Sequence, residues 1–126
     1  MTKILIVDDE ERVLTLYSAI LRKEGYEVLT VSNAKTAFEV AVSEQPNLVL
    51  LDVMIPAPDG GNAFAYLSGS ASTKHIPVIF LTSLVDEDEV DAGKGMIGGR
   101  EYISKSTSMA HLIDTVKEAL SRKPQT

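Results

Sequence analysis

Three carboxylates, a hydroxyl and an ammonium stand just beyond four short apolar runs of this chain, a placement suited to metal-assisted phosphoryl chemistry. Ile4-Leu5-Ile6-Val7 leads into Asp8-Asp9, Leu48-Val49-Leu50-Leu51 into Asp52, Val78-Ile79-Phe80-Leu81 into Thr82-Ser83, and Tyr102-Ile103-Ser104 into Lys105. If these runs are neighbouring parallel strands, their carboxyl ends deliver every one of these groups to one crevice. Carboxylates gathered in a partly desolvated crevice repel one another unless a cation compensates them. The set therefore implies a hard, oxygen-seeking ion held by Asp8, Asp9 and Asp52. Mg²⁺ suits best, since it takes one or two carboxylates, keeps several waters and leaves positions for phosphate oxygens. His75 and His111 have no partners at ligand spacing, and with no cysteine in the chain zinc has no donor cluster.

The elements that must position these groups can be read from hydrophobic rhythm. Short apolar runs alternate with amphipathic segments, the pattern of βαβ units around a parallel sheet. Residues 10–24 carry Val13, Leu14, Tyr17, Ile20 and Leu21 at spacings of three and four, and Gly25 supplies a stop, which predicts a helix. Residues 26–31 are rich in β-formers, and Ser32 or Asn33 caps a second helix whose inner face is Ala34, Ala37, Phe38 and Ala41 before Pro46. Residues 48–51 are apolar throughout, as a central strand covered on both faces requires. The prolines and glycines of 56–61 specify a loop, followed by a short helix to about Ser68. Residues 76–81 read as another buried strand, and 86–97 as a helix weakened by Gly93 and Gly95, each costing about 1 kcal/mol relative to alanine. A last helix over 107–122 presents Met109, Leu112, Ile113, Val116 and Leu120 on one face.

Five βα units favour an α/β doubly wound (βα)5 three-layer sandwich, flavodoxin-like, with a parallel five-stranded sheet of order 2-1-3-4-5. In that order strands 1 and 3 flank the topological switch point, so Asp8 and Asp9 lie beside Asp52 while Thr82 and Lys105 approach from the other side. A length of 126 residues with 44% hydrophobic content furnishes one core, expected as a domain over 1–122 with 123–126 as a tail or the start of a linker. A net charge of -6 disfavours nonspecific contact with nucleic acid or an acidic membrane. No apolar run approaches membrane-spanning length, and the lack of cysteine fits a reducing, cytoplasmic setting.

These residues together resemble bacterial response-regulator receiver domains, the phosphorylatable halves of two-component systems, over essentially the whole chain. Asp8 and Asp9 resemble the family's metal-binding pair, Asp52 its phosphoacceptor, Thr82 its switch hydroxyl and Lys105 its lysine. Pro56, Asp59 and Gly60 resemble the loop after the phosphoacceptor, and Tyr102 the aromatic residue that changes rotamer on activation. The resemblance implies phosphorylation of Asp52 by a histidine kinase or phosphotransfer protein, with Mg²⁺ held by Asp8, Asp9, Asp52 and the Met54 carbonyl. It also implies a downstream protein or effector domain contacting the face made by the fourth helix, fifth strand and fifth helix. Enzymatic turnover beyond weak self-phosphorylation and self-dephosphorylation is not expected. The chain departs from the pattern at Ser106, where the family usually has proline, and its apolar Met54 and Leu84 predict slow self-dephosphorylation.

Plainer readings stand beside these. An aspartate pair after a strand can simply cap the next helix, and a lone Asp, Thr or Lys at a strand end is usually a turn, packing or solvated residue. Three further functions share parts of the pattern: a phosphorylation-independent pseudo-receiver, a Mg²⁺-dependent aspartyl phosphatase of the haloacid-dehalogenase type, and a mononucleotide binder. The phosphatase reading wants a second acid where this chain has Met54, and the nucleotide reading wants a Ser/Thr/Gly loop where it has Asp8-Asp9-Glu10.

Overall fold

The structure of the chain, a computed structural model, describes residues 2–52, 55, 63–82, 96–97, 100–105 and 107–121. In chain order the elements are β1 (Lys3–Val7), α1 (Glu11–Lys23), β2 (Glu27–Val31), α2 (Ala34–Glu44), β3 (Leu48–Asp52), α3 (Ala63–Gly69), β4 (Val78–Thr82), β5 (Met96–Ile97), β6 (Arg100–Ser104) and α4 (Met109–Ser121). Five strands are parallel, in the order β2-β1-β3-β4-β6, so the expected 2-1-3-4-5 sheet is present. Among the described residues no helix is long and apolar enough to cross a membrane.

The sheet is covered on both faces, and strand alternation assigns each residue to its side. Ile4, Ile6, Leu48, Leu50, Ile79, Leu81 and Ile103 pack with Val13, Tyr17 and Leu21 of α1 and with Leu112 and Val116 of α4. Leu5, Val7, Val49, Leu51 and Phe80 pack instead with Ala34, Ala37 and Ala41 of α2 and with Ala63 and Leu67 of α3. The inner stripe of α2 is made of the small residues Ala34, Ala37 and Ala41, all buried.

The helix ends follow local chemistry. Gly25, at φ +96°, takes the left-handed conformation that closes α1. Of the two candidate caps for α2, Asn33 is the one used: its side-chain oxygen accepts from the Thr36 N–H at 2.8 Å. At the other end of α2 the left-handed residue is Gln45, with φ 47°, whose side-chain amide donates to the carbonyls of Ala41, Val42 and Ser72.

One expectation is corrected. The helix read over 86–97 does not extend to its end, because Met96 and Ile97 are extended and pair antiparallel with Glu101 and Arg100 as an outer edge strand. The sequence between the paired residues is Gly98-Gly99, a composition that lets a chain reverse in two residues. Pairing there covers part of the β6 edge that would otherwise present open backbone groups. Residues 86–95 and the 56–61 loop lie outside the described residues.

Candidate functional site

Strand register levels the acidic groups. Val7 pairs with Leu51, so Asp8, the next residue, stands beside Asp52. The Asp8 N–H still donates to the Val31 carbonyl at 3.1 Å, which continues the ladder one residue past β1. Across the sheet Asp52 pairs with Leu81 and Thr82 with Ser104, and the Lys105 N–H donates to the Thr82 carbonyl at 2.9 Å. The lysine backbone is thus tied to the residue that follows Leu81 on β4.

The side chains meet as their backbones predict. One carboxylate oxygen from each of Asp8, Asp9 and Asp52 lies within 4.8 Å of the others. Asp8 is wholly buried and Asp52 is 3% exposed, whereas Asp9 faces solvent. The Lys105 ammonium reaches into the cluster, 2.9 Å from Asp8 Oδ2, 3.2 Å from Glu10 Oε2 and 3.4 Å from Asp52 Oδ2. Asp8 also plays the plainer part of a turn residue, since its Oδ1 accepts from the Glu10 N–H at 2.8 Å. Oδ2 is held differently: it has the charge of Lys105 beside it but no aligned hydrogen-bond donor.

The electrostatics follow. Burial pushes the Asp8 carboxyl above the usual aspartate range, and the nearby Asp52 charge adds to this against the Glu10 N–H and Lys105. For Lys105 burial works against the charge, but contact with Asp8, the charges of Asp52 and Asp8, and Glu10 outweigh it and raise its pKa. The ammonium is therefore a fixed positive charge across the physiological range.

All donors in the cluster are hard oxygens, one buried carboxylate oxygen lacks an aligned partner, and one wall is open at Asp9. That donor set fits Mg²⁺. Met54, read as the carbonyl ligand, and Ser106 and Leu84 lie outside the described residues.

Thr82 is buried, 1% exposed, at the end of β4. Leu81 and Ile103 face α1 and α4, so alternation sends Thr82, like Tyr102 and Phe80, to the opposite face. Tyr102 is half-buried and stacks on Phe80, with ring centroids 5.2 Å apart. Asp8, Asp9, Asp52, Thr82 and Lys105 are thus brought to the same end of the sheet, with Asp8, Asp52 and Lys105 toward α1, Asp9 in solvent and Thr82 toward the other layer, where Tyr102 lies two residues farther down β6, level with Phe80. Glu10 was visible in sequence as the start of a helix and as the last of the acidic run Asp8-Asp9-Glu10, not as a partner of the lysine. Its position directly after Asp8-Asp9 was the available signal that it would share the lysine.

Comparison with known proteins gives the same picture. The response regulator receiver domain family matches residues 4–117. The chain is 34% identical to the protein PilH of Pseudomonas aeruginosa, over 96% of this chain and 99% of that protein. It is 36% identical to PhoP of Bacillus subtilis, an alkaline phosphatase synthesis transcriptional regulatory protein, over 95% of this chain but only 49% of that longer protein. Among solved structures it is similar to the BeF3-activated receiver domain of Klebsiella pneumoniae RstA, at TM-score 0.76 and 34% identity, over 96% of this chain and 100% of that one. Register, sheet order and sequence likeness agree, and the chain belongs to the response regulator receiver domain family of two-component signalling.

Proposed function

We propose that Asp52 accepts a phosphoryl group from a histidine kinase or phosphotransfer protein, and that the domain hands on the resulting change of shape. The observation that carries this reading is the Lys105 ammonium, 3.4 Å from a buried Asp52 carboxylate that shares its crevice with Asp8 and Asp9. Phosphoryl transfer asks mainly for alignment and charge stabilisation. An Asp52 oxygen attacks the phosphorus in line while the bond to the donor imidazole nitrogen breaks, its electron pair stays on that nitrogen, and an acyl phosphate results. Asp8, Asp9 and Asp52, with the Met54 carbonyl, would hold Mg²⁺, which would supply neutralisation of the transferred oxygens. Lys105 pairs with one phosphoryl oxygen and the Thr82 hydroxyl donates to another.

Thr82 and Tyr102 project from the same face of neighbouring strands, and Tyr102 is registered against Phe80. That arrangement supports a switch in which movement of Thr82 toward the phosphoryl group vacates space that Tyr102 fills. The output is then read on the surface around β6 and α4 by a partner protein or effector domain. The RstA receiver, 34% identical, is described as BeF3-activated, and beryllofluoride is a tetrahedral stand-in for a phosphoryl group.

The test is to incubate the protein with Mg²⁺ and a small acyl phosphate, then weigh it intact beside Asp52→Asn. Addition of one phosphoryl group to the parent alone is expected. Equal modification of both proteins overturns the acceptor assignment, and modification of neither favours a phosphorylation-independent module.

A further inference from the structure

Among the described residues, two buried side-chain oxygens lack an aligned hydrogen bond: the hydroxyl of Tyr17, and Asp8 Oδ2, which has the Lys105 ammonium 2.9 Å away as its close neighbour. One is a carboxylate acceptor and the other a phenol donor, so the two are chemically complementary. A tyrosine that served only to fill the core would gain nothing from its oxygen, because phenylalanine occupies the same space without burying an unpaired hydroxyl. Tyr17 is 4% exposed, so its hydroxyl is shut off from bulk solvent.

Both groups lie on one side of the sheet. Val7 and Leu51 face α2 and α3, so strand alternation turns Asp8 and Asp52 toward α1. Tyr17 belongs to the α1-side cluster, together with Ile6, Leu50 and Ile103. Its position between Val13 and Leu21 on the buried stripe of α1 sends the ring toward the helix N-terminus, as long helical side chains point. That terminus is Glu11, three residues after Asp8, so the ring leans toward the acidic end of the sheet. Burial keeps the phenol protonated, and its hydroxyl senses the charges of Lys105, Asp8 and Glu10.

We propose that Tyr17 is a positioning residue for the metal site: when a cation enters and Lys105 withdraws from Asp8, the Tyr17 hydroxyl donates to the Asp8 carboxylate and holds it in its ligating orientation. The inference rests on the Mg²⁺-binding reading above. Ligating carboxylates are commonly fixed by such outer hydrogen bonds, and losing one weakens metal binding by about tenfold or more.

Tyr17→Phe removes one oxygen and keeps the ring. Calorimetric titration with MgCl2 should give a dissociation constant about tenfold weaker for the variant, while its thermal midpoint without metal is equal to or above that of the parent. A second readout is spectroscopic. The chain has four tyrosines and no tryptophan, so a phenol that gains a hydrogen bond changes the near-ultraviolet difference spectrum on Mg²⁺ addition, and Tyr17→Phe should lose that change. Equal Mg²⁺ affinity and an unchanged difference spectrum in the two proteins overturn the assignment and leave Tyr17 a packing residue. If the parent binds no Mg²⁺ at all, the metal reading itself fails and this inference falls with it.

Discussion

Lys105 stands closer to Asp8 than to Asp52, 2.9 against 3.4 Å, although Asp52 is the residue assigned to receive the phosphoryl group. The ammonium therefore compensates Asp8 and Glu10 as well as Asp52. Two positive charges in one small crevice repel each other, so under the proposed reading Lys105 would oppose Mg²⁺ binding.

Replacing Lys105 by methionine separates these two roles. Without its charge, Mg²⁺ is expected to bind more tightly, by about tenfold, the ratio that about 1.4 kcal/mol of relieved repulsion gives. Phosphoryl incorporation from a small acyl phosphate should fall over the same range of conditions, because one phosphoryl oxygen loses its partner. Weaker Mg²⁺ binding by Lys105→Met would show that the lysine organises the metal site instead of opposing it.

The shifted groups make stability depend on pH in two separate windows. The Asp8 pKa is raised from 3.8, so the folded chain holds that proton more firmly than the unfolded one. The ionised carboxylate then detracts from stability at neutral pH, and the penalty disappears as pH falls through the raised value. Lys105 is raised too, but as a base: its contribution is complete below the ordinary lysine value of 10.5 and is lost as the solution is made alkaline through the folded one. Asp8→Asn should accordingly melt several degrees higher than the parent at pH 7 without metal, with the gap narrowing in acid. A gap that widens on acidification would mean that the pair with Lys105 outweighs burial.

What the sequence made legible was whatever depends on period and punctuation. Uniformly apolar runs identified the central strands, Gly25 ended α1, and aspartates beyond two runs met because parallel pairing leaves strand ends level. The start of the second helix was narrowed to Ser32 or Asn33, of which the fold uses Asn33, but its left-handed end at Gln45 was hidden, since glutamine has no special freedom there and is held by its own amide bonds to neighbouring carbonyls. The β5 edge escaped because two paired residues are too few to show alternation, and the acidic run before them resembled a helix start. Tyr17 was visible only as one apolar position of a helical stripe. Its unpaired hydroxyl is a property of the fold and cannot be read from spacing.

Ile103 couples the core to the site. It is wholly buried on β6, two residues before Lys105, against side chains of β4 and α4. Ile103→Ala should cost about 2 to 5 kcal/mol in urea unfolding, whereas Ile103→Val should cost only about 0.5 to 1.5. Because Lys105 is also tied through its N–H to the Thr82 carbonyl, the valine variant should keep the parent's Mg²⁺ affinity. A large gain of affinity in Ile103→Val, in the direction expected of Lys105→Met, would locate the lysine's support in core packing instead of the ladder.

Tyr102 offers the sharpest check on the switch. Its ring stacks on Phe80 at an interplanar angle of 29°, and Phe80 in turn tilts against Phe64, so a rotation of Tyr102 must disturb a chain of aromatic contacts. Ring-current shifts report such a change directly. With Mg²⁺ and beryllofluoride added, the Tyr102 and Phe80 ring resonances should move together, and both should stay still in Asp52→Asn. Thr82→Ala should reduce the movement of Tyr102 while leaving beryllofluoride bound, since the hydroxyl acts after the anion is in place. Ring shifts of equal size in Thr82→Ala and the parent would disconnect Tyr102 from Thr82 and place the signal's route elsewhere in the domain.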